Sequence, residues 1–393
     1  MDNKDNNKDN LEIKSFQTWD ELECDMTLLR GIYAYGFEKP SPIQQKAIIP
    51  MMSKKDIIAQ AQSGTGKTGC FSIGMLQSID LNKNDIQVLC ISPTRELSIQ
   101  IKEVIDGIGS MMSGLKTHLL VGGTSINEDI NILNNNKKPQ IVIGCPGRIY
   151  DMICRKKFNT KNLKMLVIDE ADELLSQGFM DQIYNIFMSL PQDIQVCLFS
   201  ATIPNELYKI TDKFMRDPIK ILVKNESLTL EGIHQYYVAL EKEEHKYETI
   251  KDLFKYINLS YCIIYCNNVK KVEELYKNMC EEGFSVCMIH SNMQYKERNE
   301  NYNNFKSGYK RVLISSNVTA RGIDIQQLGI VINYDLPNCV HTYLHRIGRS
   351  GRWGRKGLGI NLITNNDYKK LKEIETYYKT EINEMPINVF DNL

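Results

Sequence analysis

Short apolar runs alternate with longer mixed stretches along the chain, from about residue 16 onward. Most of the runs are four or five residues long, rich in β-branched side chains and bounded by polar residues, which is typical of buried parallel strands in β-α-β units. The runs are 56–59, 88–91, 141–143, 165–168 and 196–199 in the first half, and 261–265, 285–289, 311–314 and 330–332 in the second. The pattern predicts an α/β protein with two mostly parallel sheets covered by helices.

The pattern of apolar runs is interrupted at two places, near the start of the chain and near its middle. Residues 1–15 are mostly Asn, Asp and Lys with little to bury, so we expect a disordered tail. Asp217-Pro218 ends the pattern of the first half, and the polar stretch 224–227 follows it. We therefore predict a first domain over 16–218, a linker over 219–232 and a second domain over 233–393.

Composition narrows the classes of protein that fit. Of the 393 residues, 42% are hydrophobic and 24% charged, which excludes disorder along the whole chain. The 48 lysines and arginines equal the 48 aspartates and glutamates in number, which excludes a histone-like grip on nucleic acid through bulk positive charge. Any nucleic-acid site must therefore be local.

The cysteines and the apolar runs indicate the compartment. The 11 cysteines are scattered, and Cys262 and Cys266 share one face of a predicted strand, so we interpret them as reduced core thiols in preference to zinc ligands. No apolar run approaches the roughly 18 residues of a membrane span, and no signal peptide is recognisable. We expect a soluble intracellular protein.

A glycine-rich segment follows the first predicted strand and precedes a predicted helix. Its glycines allow backbone N–H groups to surround a phosphate chain, with Lys67 reaching the β- and γ-phosphates and the Thr68 hydroxyl holding Mg²⁺. The alternative is a glycine-rich turn without a ligand. The candidate nucleotide-binding residues here are Ala61, Gln62, Ser63, Gly64, Thr65, Gly66, Lys67 and Thr68.

Two further segments carry charges that such a site needs. Asp169 and Glu170 directly follow the strand 165–168, where one carboxylate can hold a metal and the next can polarise a water, although acidic pairs also serve as helix N-caps. The segment 345–352 is rich in arginine and glycine. It is either a solvated loop or a source of cations for the charge that develops on a γ-phosphate.

Together these motifs resemble those of DEAD-box RNA helicases, and within that family the subfamily of eukaryotic translation initiation factor 4A. The resemblance runs from about Phe16 to Leu393. The ordered set is more specific than any single motif. It comprises 36–44, 61–68, 93–97, 122–123, 146–148, 169–172, 200–202 and 345–352.

The resemblance implies two tandem RecA-like domains, ATP and Mg²⁺ as cofactors, and RNA-stimulated ATP hydrolysis that locally unwinds RNA. The implied catalytic residues are Lys67, Asp169, Glu170, Arg349 and Arg352, with Thr68 and Asp169 on the metal. Phe37 and Gln44 would bind the adenine, and Gly322 and Asp324 the rest of the nucleotide. The implied coupling residues are Asp172, Ser200, Thr202 and His345. The implied contacts to the RNA backbone, which give little sequence preference, are Pro93, Thr94, Arg95, Gly123, Gly147, Arg148, Arg298 and Ser316.

The resemblance also implies a cellular setting and leaves alternatives. It implies a monomer that acts in translation initiation in the cytoplasm with a scaffold protein. The alternatives are an ATP-gated RNA clamp of the exon-junction or splicing type, for which a nuclear location is expected, and a P-loop ATPase that acts on DNA or protein. The chain departs from the family pattern at Cys145, Ser291, Tyr295 and Asn317, all close to predicted RNA contacts.

Overall fold

The chain forms two compact units, residues 1–223 and 224–393. The computed structural model describes residues 15–61, 64–176, 178–222, 233–256, 261–319, 328–348, 350 and 357–386. Each unit is built around its own sheet.

The first unit holds a seven-stranded parallel sheet in the order β3-β4-β2-β5-β6-β1-β7. The strands inside the sheet, such as β2, β4 and β5, are buried on both faces because helices cover both sides of the sheet. In β2, for example, Val88 and Cys90 belong to one core cluster, whereas Leu89 and Ile91 belong to the other. The strands are β1 (Ile57–Gln60), β2 (Val88–Ile91), β3 (Thr117–Leu120), β4 (Ile141–Gly144), β5 (Met165–Ile168), β6 (Gln195–Ser200) and β7 (Ile219–Leu222).

The helices of the first unit follow its strands in turn, apart from two that precede β1. Both have buried apolar faces, and Trp19, in a 3-10 turn before them, is fully buried. The helices are α1 (Met26–Ala34), α2 (Pro42–Met52), α3 (Lys67–Ser78), α4 (Arg95–Ile108), α5 (Ile126–Leu133), α6 (Pro146–Cys154), α7 (Ala171–Ser176), α8 (Met180–Met188) and α9 (Asn205–Phe214).

The second unit repeats the architecture with seven parallel strands in the order β10-β11-β9-β12-β13-β8-β14. The strands are β8 (Ile233–Leu240), β9 (Tyr261–Tyr265), β10 (Val286–Ile289), β11 (Val312–Ser315), β12 (Leu328–Asn333), β13 (Gly357–Thr364) and β14 (Asn383–Glu384). The helices are α10 (His245–Tyr256), α11 (Val269–Glu281), α12 (Tyr295–Lys306), α13 (Val340–Ile347) and α14 (Tyr368–Tyr378). None of the helices in the described residues is long and apolar enough to span a bilayer.

The predicted α/β class with two helix-covered parallel sheets is confirmed. Each of the nine predicted runs forms a strand to within a few residues. The predicted linker 219–232 begins with β7, which pairs with β1 in the first sheet, while residues 223–232 lie outside the described part of the chain. Cys262 and Cys266 are fully buried in the core of the second unit, and burial raises the pKa of the Cys266 thiol to about 12.

The backbone of α1 packs closely against the end of α4, and a substitution there tests how much this contact stabilises the first unit. A Cβ added at Gly31 would lie 1.9 Å from the Ile108 carbonyl oxygen, and the two backbones must separate to accommodate it. We expect Gly31→Ala to lower the free energy of unfolding by about 1–3 kcal/mol or more, measured by urea denaturation.

Gly147→Ala is the matched control for stability. Gly147 also lies in a helix, but among the described residues nothing lies within 4 Å of an added Cβ there. Alanine favours helix over glycine by about 1 kcal/mol, so this variant should be neutral or slightly stabilised. Equal unfolding midpoints for the two variants would refute the close approach at Gly31.

Candidate nucleotide and RNA site

The glycine-rich segment connects the carboxyl end of β1 to α3, as its sequence predicts. Gly64 and Gly66 adopt left-handed backbone conformations, with φ of 82° and 96°, so the turn requires residues without a side chain. Gly66 caps α3, whose first residue is Lys67. Ala61 donates its backbone N–H to the Ser200 carbonyl, which ties this segment to β6. Gln62 and Ser63 lie outside the described residues.

Lys67 points toward the carboxylates that follow β5. Its Nζ lies 3.4 Å from Glu170 Oε1, and both side chains are almost fully buried. Glu170 has a φ of 49°, an uncommon backbone conformation for a residue with a side chain. Strained positions of this kind concentrate at functional sites. The structure therefore brings together two candidate residues that stand about a hundred positions apart in the sequence.

The carboxyl of the neighbouring Asp169 has a raised pKa. Burial and the nearby charge of Glu170 raise the pKa of Asp169 to about 7, against the opposing effect of Lys67. Asp169 Oδ1 accepts a hydrogen bond from the Glu170 backbone N–H at 2.9 Å. Two buried carboxylates beside a single lysine form a site that a further cation would stabilise.

The first turn of α2 and the segment before it pack against the glycine-rich turn and the start of α3. Gln44 Oε1 accepts from the Ser41 backbone N–H at 2.7 Å, and Gln44 Nε2 donates to the Gly66 carbonyl at 3.3 Å. A Cβ added at Gly69 would lie 2.8 Å from the Phe37 ring, so that ring rests directly on the start of α3. Phe37 and Gln44 thus lie beside the candidate phosphate-binding turn.

Asp172 connects this cluster to β6. Its carboxylate Oδ2 accepts from the Thr202 hydroxyl at 2.7 Å and from the Thr202 backbone N–H at 3.3 Å. Its backbone N–H donates to Ser200 Oγ at 3.2 Å. The three coupling candidates of the first unit therefore form one hydrogen-bonded group.

Sheet order separates the candidates of the first unit into two groups. Apart from Phe37 and Gln44, which precede β1, the nucleotide and coupling candidates follow β5, β6 and β1, and these strands are neighbours. The RNA candidates follow β3, β4 and β2, which occupy the other side of the sheet. Because parallel strands end at a common edge, the two groups lie side by side along it.

Most of the RNA candidates stand where a helix begins. Thr94 caps α4, accepting from the Leu97 backbone N–H, and Arg95 is the first residue of that helix. A Cβ added at Gly122 would lie 3.2 Å from Arg95 Nη2, so the guanidinium rests against the Gly122-Gly123 turn. Pro93 immediately precedes Thr94, and Gly147 lies in the first turn of α6.

Arg148 is engaged within the protein. It donates to the Thr124 hydroxyl and carbonyl at 3.2 and 2.9 Å, and it forms an ion pair with the buried Asp129. Asp129 also contacts His118 Nε2 at 3.0 Å. The guanidinium therefore fixes the turn that contains Gly123. Asp129 and Thr124 were not predicted, since a lone carboxylate in α5 gives no sequence signal.

The second unit places its described candidates after neighbouring strands. Arg298 lies in the first turn of α12, which follows β10, and Ser316 directly follows β11. His345 is buried in the last turn of α13. Gly322, Asp324, Arg349 and Arg352 lie outside the described residues. The departures Ser291 and Tyr295 lie between β10 and Arg298, and Asn317 follows Ser316.

Comparisons with known proteins follow the same division of the chain. Residues 41–210 match the family model described as DEAD/DEAH box helicase, and residues 245–354 match the helicase conserved C-terminal domain. An ATP-dependent RNA helicase named FAL1 from Mycosarcoma maydis is 51% identical over 381 residues, 97% of this chain and 95% of that protein. An ATP-dependent RNA helicase named eIF4A from Pyricularia oryzae is 50% identical over 378 residues, 96% of this chain and 95% of that protein.

Solved structures agree in fold. The structure of S. cerevisiae Dbp5 bound to RNA and ADP BeF3 is 33% identical with a TM-score of 0.88, covering 96% of this chain and 97% of that one. The structure of Mss116p bound to ssRNA and AMP-PNP is 26% identical with a TM-score of 0.84, and the match covers 98% of this chain and 82% of that one. The two units are tandem RecA-like domains. The chain belongs to the DEAD-box family of ATP-dependent RNA helicases.

Proposed function

We propose that this helicase hydrolyses ATP with Glu170 as the base that activates water and Lys67 as the cation on the β- and γ-phosphates. The observation that carries the proposal is the buried contact between Lys67 Nζ and Glu170 Oε1 at 3.4 Å, beside the carboxyl of Asp169. A base must lie within reach of both the reacting phosphate and a water. The turn 64–66 presents backbone N–H groups to the phosphates at the same place.

Asp169 and Thr68 are proposed to hold Mg²⁺. Both offer oxygen ligands, which this small hard cation prefers. The raised pKa of Asp169 supports the assignment, because it reflects burial of the carboxyl and the nearby charge of Glu170, and a bound divalent ion would offset both effects. When bound, the ion would neutralise charge on the phosphate oxygens. Phe37 and Gln44, which pack on the same turn, are proposed to bind the adenine.

The RNA backbone is proposed to lie along the carboxyl edge of each sheet. In the first domain the contacts are Pro93, Thr94, Arg95, Gly123 and Gly147, with Arg148 shaping the turn. In the second they are Arg298 and Ser316. Contacts to phosphate and ribose carry little sequence information, so binding should depend weakly on RNA sequence.

The rest of the nucleotide site is assigned to the second domain by family resemblance. Arg349 and Arg352 are proposed to neutralise charge on the γ-phosphate, since arginine supplies such cations in many NTPases. Gly322 and Asp324 would contact the nucleotide. His345, Asp172, Ser200 and Thr202 are proposed to couple ATP binding to RNA binding.

In the cell we propose a role in translation initiation, in the cytoplasm, as a monomer recruited by a scaffold protein. The 50% identity to helicases named eIF4A supports this role. The alternative is an ATP-gated RNA clamp of the exon-junction or splicing type. Multiple-turnover ATP hydrolysis with excess RNA separates the two, because a clamp would stall after one turnover.

The activity is tested by steady-state ATP hydrolysis with RNA or DNA of the same sequence. We expect RNA to raise turnover at least tenfold and DNA to have little effect, as the Ser316 and Gly123 regions are proposed to contact a ribose-phosphate backbone with 2′-hydroxyls. The DNA strand is the matched comparison, because it has the same sequence and length and lacks the 2′-hydroxyls. Equal stimulation by the two polymers would contradict the RNA assignment.

A further inference from the structure

Arg346, in the last turn of α13, is completely buried, which is rare for an arginine. A guanidinium has five N–H donors, and each has an acceptor here. Nε donates to Asn317 Oδ1 at 2.9 Å, and Nη1 donates to Asn333 Oδ1 at 3.0 Å and the Asp335 carbonyl at 2.7 Å. Nη2 donates to Asn267 Oδ1 at 2.7 Å and Asn317 Oδ1 at 2.6 Å.

The acceptors lie at the carboxyl ends of three neighbouring strands. Asn267 is two residues beyond β9 and Asn317 is two beyond β11. Asn333 is the last residue of β12, and Asp335 is two beyond it. The order β11-β9-β12 makes these strands adjacent. Arg346 therefore ties the end of α13 to three consecutive turns along one edge of the second sheet.

Two of the three amides are already oriented by other bonds. Asn267 Nδ2 donates to the Leu336 carbonyl at 2.7 Å, and Asn333 Nδ2 donates to Asn361 Oδ1 at 2.8 Å. Each therefore presents its oxygen to the guanidinium. Asn317 differs because it is exposed and lies on the turn that begins with Ser316. Arg346 makes two of its five hydrogen bonds to this one exposed residue.

The acceptors that the described residues offer to the guanidinium are three side-chain amides and one backbone carbonyl, and none is a carboxylate. The guanidinium is charged nonetheless. Burial lowers its pKa to about 10, so it stays protonated near neutrality. The carboxylate of Asp335 instead accepts from Lys271 Nζ at 2.6 Å and from the Asn267 backbone N–H at 3.0 Å. Hydrogen bonds from a charged donor are stronger than neutral ones, so Asn317 is held firmly.

We propose that Arg346 is a positioning residue for RNA binding, which holds the Ser316 turn through Asn317. The inference rests on the proposed function, in which Ser316 contacts the RNA backbone. The turn is held from its other side by the Ile289 carbonyl, which accepts from the Ser316 backbone N–H at 3.3 Å and from Ser315 Oγ at 2.8 Å. Without Arg346, Asn317 loses both of the hydrogen bonds that its Oδ1 accepts from the guanidinium.

The test uses Asn317, because substitution of an exposed residue should leave the fold intact. For Asn317→Ala we expect the RNA concentration that gives half-maximal ATPase stimulation to rise roughly tenfold, with kcat at saturating RNA nearly unchanged. The melting temperature should fall modestly, because two donors of the buried guanidinium lose their acceptor. Asn317→Asp keeps an acceptor at the same place and should restore RNA half-saturation to near the parent value. The matched control is Asn278→Ala, which makes the same change at an exposed asparagine in α11 and should leave RNA half-saturation at the parent value.

The outcomes separate this inference from the function on which it rests. Ser316→Ala tests the RNA contact directly, and parent-like RNA half-saturation in that variant would overturn the contact itself. If Ser316→Ala raises the RNA concentration for half-maximal stimulation and Asn317→Ala does not, the positioning role of Arg346 is overturned and the RNA contact of Ser316 stands. A fall in melting temperature without a change in RNA half-saturation would make the Arg346 cluster purely structural, and would also overturn the proposal.

Discussion

Glu170→Gln is expected to lower the rate of RNA-stimulated ATP hydrolysis by roughly 10²–10⁴-fold, the usual effect of losing a general base. The amide has the size of the carboxylate and can still contact Lys67, whose Nζ lies 3.4 Å from Glu170 Oε1. It cannot take a proton from water. ATP binding should persist, and the pKa of Asp169 should fall because one of the charges that raise it is gone. Phosphate release at saturating RNA measures turnover, and an equilibrium nucleotide titration measures ATP binding.

Glu206→Gln provides the same chemical change at an exposed position in α9 and should have the parent rate. Near-parent turnover in Glu170→Gln would remove this residue from the role of base. Loss of ATP binding together with turnover would instead assign Glu170 to nucleotide binding through Lys67.

Thr202→Ala is expected to reduce RNA unwinding about tenfold or more while ATP affinity stays near the parent value. The change removes the 2.7 Å hydrogen bond from the Thr202 hydroxyl to Asp172 Oδ2. A hydrogen bond to a charged group contributes about 1.5–3 kcal/mol, and its loss would weaken the connection between the turn after β6 and the segment that carries Asp169 and Glu170. The bonds from the Thr202 backbone N–H and to Ser200 Oγ would remain. Unwinding of a short RNA duplex and ATP titration on the same preparation measure the separation.

Thr202→Ser is the matched variant, because it keeps the hydroxyl and loses only a methyl group. It should unwind RNA nearly as well as the parent. If serine and alanine variants lose unwinding equally, the methyl contact and not the hydrogen bond matters. If ATP affinity falls in parallel with unwinding, Thr202 belongs to the nucleotide site.

The sequence pattern predicted the strands that are continuous apolar runs, and it missed those that are not. In β13, Asn361 interrupts the run, yet it is fully buried because it bonds Asn333, the Tyr236 carbonyl and Tyr343. In β8, Gln235 is similarly buried and accepts from the Tyr343 hydroxyl at 2.9 Å. Buried polar side chains of this kind are stable only in pairs or networks, and a single sequence does not show which residues meet.

The candidate site was predictable to the extent that its chemistry is local. The turn before Lys67 and the carboxylates after β5 are recognisable because each is a short segment between a strand and a helix. The partners of Arg148 and Arg346 were not recognisable. Asp129 and Asn267 are ordinary helix and loop residues in the sequence, and their importance comes from long-range contacts with these arginines. The roles of Arg349 and Arg352 stay predictions.

The place of β1 in the first sheet has a consequence for synthesis of the protein. Ile57 pairs with Cys197 on one side and with Ile219 on the other, so both neighbours of this strand are made late. The nearer one is about 140 residues further along the chain. At about 5–20 residues per second, the strand waits on the order of 10 s outside the ribosome before it can pair. During this interval its apolar residues are available to chaperones and to other nascent chains.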